Sequence, residues 1–122
     1  MKTVFLAEGE THVRAALRLA IEFQGRIAVV GEADHPESLL AQVCQNPPDV
    51  ILLDWNLPGL HHQRLIRILR EHCPHTRVVV MSVKPEHEKA AREWDVDGFL
   101  LKQLTPEAFI AGLEMVVGGG EL

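Results

Sequence analysis

The sequence predicts a three-layer α/β sandwich, in which helices cover both faces of a five-stranded parallel sheet. The apolar runs do not alternate with polar residues, which is typical of strands buried on both faces. The stretches between them are long enough for helical crossovers, and strict alternation of strand and helix implies a right-handed connection each time. The five runs are Val4 to Ala7, Ile27 to Val30, Val50 to Leu53, Val78 to Met81 and Phe99 to Leu101.

Each stretch between the runs carries a helical pattern, and several carry a clear start or stop signal. Thr11 is the predicted N-cap of the first helix, and Pro36 suits the first turn of the second. Thr105 and Pro106 mark the cap and first position of the last helix, which the glycine run 118–120 ends. The apolar stripes of the five helices include Val13 and Leu17, Leu39 and Val43, Leu65 and Leu69, Ala91 and Trp94, and Phe109 and Leu113.

The composition is that of a single folded domain. Its 122 residues suit one domain with one hydrophobic core. With 12 Lys and Arg against 17 Asp and Glu, the formal charge is −5, which disfavours direct nucleic-acid binding by this segment. The two cysteines lack metal-ligand or redox spacing, and no apolar stretch suits a membrane helix or a signal peptide. We therefore expect a cytoplasmic protein without membrane contact.

Polar side chains with complementary chemistry follow the predicted strands. Glu8 and Glu10 follow the first strand, Asp54 the third, Ser82 the fourth and Lys102 the fifth. The carboxyl ends of parallel strands meet at one edge of the sheet, so these groups are expected to converge there. Oxygen ligands of this kind suit Mg²⁺. A carboxylate beside Mg²⁺ and an ammonium group can attack phosphorus, because both cations offset the charge on the phosphoryl oxygens.

Four segments resemble the receiver domain of two-component response regulators: VFLAE at 4–8, VILLDWNLPG at 50–59, VVMS at 79–82 and GFLLK at 98–102. The resemblance spans nearly the whole chain, and its most specific piece is LLDWNLPG, followed in the right order by the serine and the lysine. It implies a flavodoxin-like fold with strand order 2-1-3-4-5. It also implies a signalling domain and no enzyme, beyond Mg²⁺-assisted self-phosphorylation and dephosphorylation.

The resemblance gives a role to each matching residue. Asp54 resembles the phosphoacceptor, Ser82 the switch hydroxyl and Phe99 the switch aromatic residue. Lys102 would pair with Asp54 or with its phosphoryl group, and Asn56 would offer its backbone carbonyl to the metal ion. Added charge on Asp54 would then bias the face built from the fourth and fifth helices and the fifth strand.

The end of the first strand departs from the family pattern at the metal site. Glu8 is followed by Gly9, where the family has a second acid that touches the metal ion. Glycine offers no ligand, so Mg²⁺ affinity is expected to fall at least as far as for an outer-shell loss, about 10 to 100-fold. The expected ligands are Glu8, Asp54 and the backbone carbonyl of Asn56, with Glu10 as an alternative carboxylate.

Two versions of the function stay open at this point. In the first, a sensor histidine kinase phosphorylates Asp54, and the domain switches an output or homodimer surface. In the second, motivated by Gly9, the domain is an atypical receiver that signals by dimerisation or partner binding without phosphate. A flavodoxin-like flavin-binding protein shares the topology, but the acids Glu8 and Glu10 would repel its phosphate.

The sequence also predicts where the domain ends. Residues 1–117 are expected to form the receiver domain, and residues 118–122 to begin a linker. The glycine run resembles the point where receivers with a helix-turn-helix tail pass into a linker. A DNA-binding output domain is therefore expected in the parent protein.

Two aromatic features near the acceptor have less specific interpretations. His61 and His62 have no third metal ligand at suitable spacing, so a solvated loop is expected there rather than a transition-metal site. Trp55 directly follows Asp54 and either gates its rim or only packs against it.

Overall fold

The computed structural model of the chain describes residues 1–118. All neighbouring strands pair in parallel, in the order β2-β1-β3-β4-β5. This confirms the predicted three-layer α/β sandwich and its strand order. The elements are β1 (Lys2–Ala7), α1 (Thr11–Phe23), β2 (Ile27–Ala33), α2 (Pro36–Gln45), β3 (Val50–Asp54), α3 (His62–His72), β4 (Arg77–Ser82), α4 (His87–Glu93), β5 (Gly98–Leu101) and α5 (Pro106–Val117).

The sheet separates two apolar cores, because successive side chains of a strand point to opposite faces. Helices α2, α3 and α4 cover the first face, and α1 and α5 cover the second. Along β3, Leu53 lies in the first core and Leu52 in the second, and both are fully buried. Burial on both faces explains why the strands appear in the sequence as continuous apolar runs.

Two boundaries differ from the sequence prediction. Thr11 is not a cap: it is the first residue of α1, and the N-cap position belongs to Glu10, whose side chain makes no capping hydrogen bond. Strand β2 continues to Ala33, past the predicted end at Val30, because β1 pairs with it up to that residue. Backbone pairing with β1 therefore extends β2 beyond the apolar run and includes residues that the run does not contain.

The C-terminal helix follows its sequence signals. Thr105 accepts a hydrogen bond from the Ala108 backbone N–H at 3.2 Å, and Pro106 occupies the first turn. Gly118 is the C-cap of α5, where the glycine run begins. Residues 119–122, which belong to the predicted linker, lie outside the described residues. Within residues 1–118, no helix has both the length and the apolar character needed to cross a membrane.

The loop between β3 and α3 depends on Gly59, and a substitution there should destabilise the fold. Its φ of +110° lies where L-residues are strained, and a Cβ atom would stand 2.9 Å from the Cδ atom of Pro36. We expect Gly59→Ala to lower the free energy of unfolding by about 1 to 3 kcal/mol, measured by urea denaturation.

Gly25→Ala is the matched control for this loss. Gly25 also has a positive φ, of +71°, but a Cβ atom there would meet nothing within 4 Å. The control therefore reports backbone strain without the contact to Pro36. Equal losses in the two variants would show that the close approach of the new Cβ atom to Pro36 adds nothing to the loss of stability.

Candidate functional site

The fold places Asp54 at the carboxyl end of the central strand. Asp54 is the last residue of β3 and is 4% exposed. The chain directly after it is held in place, since the Trp55 N–H donates to the Met81 carbonyl at 2.8 Å and the Leu57 N–H donates to the Asp54 carbonyl at 3.1 Å. The ring Nε2 of His62 lies 2.7 Å from the same Asp54 carbonyl. These contacts fix the backbone from which the carboxylate projects.

Lys102 joins this carboxylate to a second one. Its Nζ atom lies 2.7 Å from Asp54 Oδ1 and 2.6 Å from Glu8 Oε1. The Lys102 side chain is 16% exposed, whereas those of Glu8 and Asp54 are 2% and 5% exposed. One ammonium group therefore faces two buried carboxylates, and the net charge of the three side chains is −1.

The pKa of Lys102 reports this balance. Burial disfavours the charged ammonium, but the close contacts with the carboxylates of Asp54 and Glu8 outweigh it, so the pKa of Lys102 lies above its ordinary value of 10.5. The lysine is therefore charged at neutral pH. A permanent positive charge next to Asp54 suits the binding of an incoming anion at this edge of the sheet.

The side chain of Glu8 points inward, toward Lys102. Its Oε2 atom accepts a hydrogen bond from the Glu10 backbone N–H at 3.1 Å, and the Arg14 guanidinium donates to its backbone carbonyl at 2.7 Å. The Glu10 residue itself is exposed. Glu8 is thus locked into the pair with Lys102, and Glu10 stands at the rim.

An open cavity of about 660 Å³ lies over these groups, and its chemistry suits a magnesium ion. Its walls include Glu8, Gly9, Glu10, Asp54 and Asn56. Asp54 Oδ1 is buried and accepts no well-directed hydrogen bond from the described residues, although it makes the ion pair with Lys102. Two carboxylates and the backbone carbonyl of the exposed residue Asn56 match the oxygen donors that Mg²⁺ takes alongside water.

The donor set is nonetheless small. Gly9 contributes no side chain to the cavity, and within residues 1–118 no group of three His, Cys, Asp or Glu side chains is arranged to hold a metal ion. The Glu8 carboxylate is already shared between Lys102 and the Glu10 N–H. The residues fit a weakly held hydrated Mg²⁺ ion better than a dehydrated one.

Ser82 and Phe99 face the helices on the first side of the sheet, Ser82 toward α4 and Phe99 in the core beneath α2, α3 and α4. Ser82 ends β4 and is 1% exposed; its Oγ atom lies 2.7 Å from His87 Nδ1 and accepts a hydrogen bond from the Lys84 N–H at 3.1 Å. Phe99 is 7% exposed and packs in the core beneath α2, α3 and α4. The Ser82 backbone stays next to the site, because its carbonyl accepts from the Lys102 N–H at 2.9 Å.

The structure corrects the prediction for His62. A solvated loop was expected at His61 and His62, but His62 is the first residue of α3 and is 8% exposed. The sequence contained a signal for this, because His62 stands three and four positions before the buried residues Leu65 and Ile66. Histidine at the start of an apolar stripe belongs to the buried face of the helix.

An aromatic cluster beside Asp54 was not predicted. The rings of His87 and Trp55 stack with centroids 3.9 Å apart, and those of Trp55 and Trp94 stack at 4.9 Å. His62 lies within 6.2 Å of both tryptophan rings. Trp55 is half-buried within this cluster, so packing against α4 is the role that its contacts show.

Comparison with known proteins identifies the family. The family model described as the response regulator receiver domain matches residues 4–114. This chain belongs to the response regulator receiver family. Receiver domains are the signalling modules of two-component systems, so the fold, the acidic edge of the sheet and the family agree.

Individual relatives support the same assignment for this receiver domain. The nitrate/nitrite response regulator protein NarL of Escherichia coli K12 is 33% identical over 119 residues, which cover 96% of this chain and 55% of NarL. The phosphate regulon transcriptional regulatory protein PhoB of Pseudomonas aeruginosa is 28% identical over 120 residues, which cover 95% of this chain and 52% of PhoB. The receiver domain thus spans about half the length of these curated relatives.

Solved structures agree as well. The signal receiver domain of a response regulator named NarL from Mycobacterium tuberculosis superposes with a TM-score of 0.87 at 28% identity, and the match covers 97% of both chains. The isolated receiver domain of RcsB from Salmonella enterica gives a TM-score of 0.88 at 23% identity, which shows a shared fold.

Proposed function

We propose that this receiver domain accepts a phosphoryl group on Asp54 from a sensor histidine kinase. The observation that carries the proposal is the Asp54 carboxylate, buried at the end of β3, 2.7 Å from the Lys102 ammonium and open to the cavity above. In the transfer, an Asp54 oxygen forms a bond to phosphorus while the phosphorus–nitrogen bond of the phosphohistidine breaks. The bonding electron pair stays on the imidazole nitrogen.

Each neighbouring group would have a defined task in this reaction. Lys102 offsets the negative charge on the phosphoryl oxygens. Glu8, Asp54 and the backbone carbonyl of Asn56 would hold Mg²⁺, with Glu10 at the rim as an alternative ligand. When bound, the ion screens the attacking carboxylate from the phosphoryl oxygens. Since Gly9 supplies no carboxylate, we expect this ion to bind weakly.

Ser82 and Phe99 are the proposed switch residues. A phosphoryl group on Asp54 brings acceptor oxygens to the end of β3, next to the strand that carries the Ser82 hydroxyl. A hydrogen bond from that hydroxyl to the phosphoryl group would move the β4–α4 loop and change the face formed by α4, β5 and α5. Phe99, on β5 and next to β4, would adjust its packing with that movement.

Incubation of the chain with acetyl phosphate and saturating Mg²⁺ tests the proposal. Mass spectrometry should show a gain of one phosphoryl group in the wild type and in Asp34→Asn, a control at an exposed aspartate. Asp54→Asn should show no gain, because the amide lacks the nucleophilic oxygen. Absence of a gain in the wild type, or its persistence in Asp54→Asn, would overturn the proposal.

A second candidate function follows from Gly9 and from the pairing of Glu8 with Lys102. With one carboxylate missing and another engaged, the domain would signal by dimerisation or partner binding without phosphate. An unchanged oligomeric state and unchanged output in Asp54→Ala would favour this version. Loss of the output in that variant would favour phosphorylation.

The partners proposed for the whole protein follow from its relatives. NarL and PhoB are each about twice the length of this chain. We propose that the parent protein continues beyond the linker begun at residues 118–122 into a DNA-binding output domain, and that two receiver domains pair when the switch operates. We place its action in the cytoplasm, where ATP supplies the kinase.

A further inference from the structure

We propose that His87 is a positioning residue for the Ser82 hydroxyl, and that it links the acceptor site to α4. The inference rests on the function proposed above for Asp54 and Ser82. Its starting point is the short contact of 2.7 Å between Ser82 Oγ and His87 Nδ1. Ser82 is 1% exposed, so its hydroxyl is shielded from water and depends on protein partners.

The hydroxyl of Ser82 has one proton and two partners. Its oxygen already accepts from the Lys84 N–H at 3.1 Å. When His87 Nδ1 carries no proton, the hydroxyl proton points to His87. A phosphoryl group on Asp54 requires that same proton for its own hydrogen bond. His87 and the phosphoryl oxygens therefore compete for a single donor.

His87 also connects this hydrogen bond to the aromatic cluster. It is the first residue of α4, and its ring stacks on Trp55, the residue directly after Asp54, with 12° between the ring planes. Trp94, at the C-cap of the same helix, stacks on Trp55 as well. Both ends of α4 thus contact the residue next to the acceptor. When Ser82 no longer bonds to His87, the N-terminal end of α4 loses this hydrogen bond and keeps the stacking of His87 on Trp55.

Two substitutions separate the hydrogen bond from the stacking. His87→Phe keeps an aromatic ring over Trp55 but removes the nitrogen atom that faces the Ser82 hydroxyl. His87→Asn keeps a polar atom near the position of Nδ1 but removes the ring. His75→Phe is the matched control, since His75 is exposed.

The first readout is binding of the phosphoryl mimic beryllofluoride with Mg²⁺, followed by tryptophan fluorescence. We expect His87→Phe to bind it about threefold to tenfold more tightly than the wild type, because the competitor for the hydroxyl proton is gone. His87→Asn and His75→Phe should stay within about twofold. In a Ser82→Ala background, His87→Phe should have no effect, since His87 acts through that hydroxyl. An effect of equal size in that background would overturn the proposal.

A second readout does not require phosphorylation. Amide hydrogen exchange of Lys84 should be faster in His87→Phe than in His87→Asn, because the oxygen that its N–H bonds to is less firmly held. Equal exchange rates in the two variants would overturn the positioning role. Failure of wild-type protein to bind beryllofluoride would instead overturn the proposed function of Asp54, and the exchange rates would still decide the role of His87.

Discussion

Replacement of Lys102 by methionine is expected to lower the free energy of unfolding at neutral pH by about 2 to 4 kcal/mol. The variant keeps the length and the apolar stem of the side chain but removes the cation that pairs with the carboxylates of both Glu8 and Asp54. Two buried carboxylates then repel each other without compensation. Urea denaturation of wild-type and variant protein, followed by tryptophan fluorescence, measures the loss.

The mechanism of this loss has its own control. Adding Glu8→Gln to Lys102→Met removes one of the two charges and should restore most of the lost stability. Lys89→Met, at an exposed lysine of α4, should change stability by less than about 0.5 kcal/mol. If Lys102→Met destabilised the protein no more than Lys89→Met, Lys102 would not compensate the charges of Glu8 and Asp54.

The same ion pair predicts an alkaline pH dependence. The pKa of Lys102 is raised in the folded protein above its ordinary value of 10.5. Its charge therefore stabilises the fold fully below that ordinary value, and this stabilisation is lost as the pH rises through the higher pKa of the folded state. The difference in unfolding free energy between wild type and Lys102→Met should shrink in that alkaline range. A constant difference would contradict the assignment.

Restoring an acid at position 9 is expected to raise Mg²⁺ affinity at least about tenfold. Gly9→Asp places a carboxylate on the wall of the cavity that already contains Glu8 and Asp54. A Cβ atom at Gly9 would stand 3.6 Å from Pro58 Cδ, which is an ordinary contact, so the first atom of a side chain is accommodated there. Titration with Mg²⁺, followed by tryptophan fluorescence or calorimetry, measures the change.

The gain has a cost in the absence of the ion. A third acid near two buried carboxylates adds repulsion, so Gly9→Asp should be less stable than wild type without Mg²⁺ and should gain more stability when Mg²⁺ is added. Gly9→Asn is the neutral control of the same size and should gain much less affinity. Equal Mg²⁺ dissociation constants for Gly9→Asp and wild-type protein would show that the ion does not bind in this cavity.

These two predictions describe one electrostatic balance. The Lys102 ammonium group neutralises part of the negative charge of Glu8 and Asp54, so these carboxylates attract Mg²⁺ less strongly. Because Gly9 adds no carboxylate, the net negative charge available to bind Mg²⁺ at this edge of the sheet is small. We therefore expect phosphorylation of the wild-type domain to require a higher Mg²⁺ concentration than phosphorylation of Gly9→Asp. The acetyl phosphate experiment, repeated at several Mg²⁺ concentrations, measures this difference.

Much of the fold could be predicted from the sequence because it depends on local patterns. Continuous apolar runs mark strands buried on both faces, and Thr105 with Pro106 marks the start of α5. Where local signals are weak, the prediction is wrong: the sequence predicts Thr11 as the N-cap of α1, but Thr11 is the first residue of the helix and Glu10 occupies the N-cap position. The end of β2 at Ala33 depends on pairing with β1, which no local pattern encodes.

The strand-end residues of the site could also be predicted from the sequence, but several of their contacts could not. The sequence alone determined that an aspartate, a serine and a lysine stand at or directly after the ends of the third, fourth and fifth strands, because apolar runs and chain order are local properties. Only the tertiary structure decided that Glu8 bridges to Lys102, 94 positions away, and that the Ser82 hydroxyl faces His87. Such contacts depend on how helices and loops from distant parts of the chain pack together, and side-chain distances of a few ångströms are fixed only by that packing.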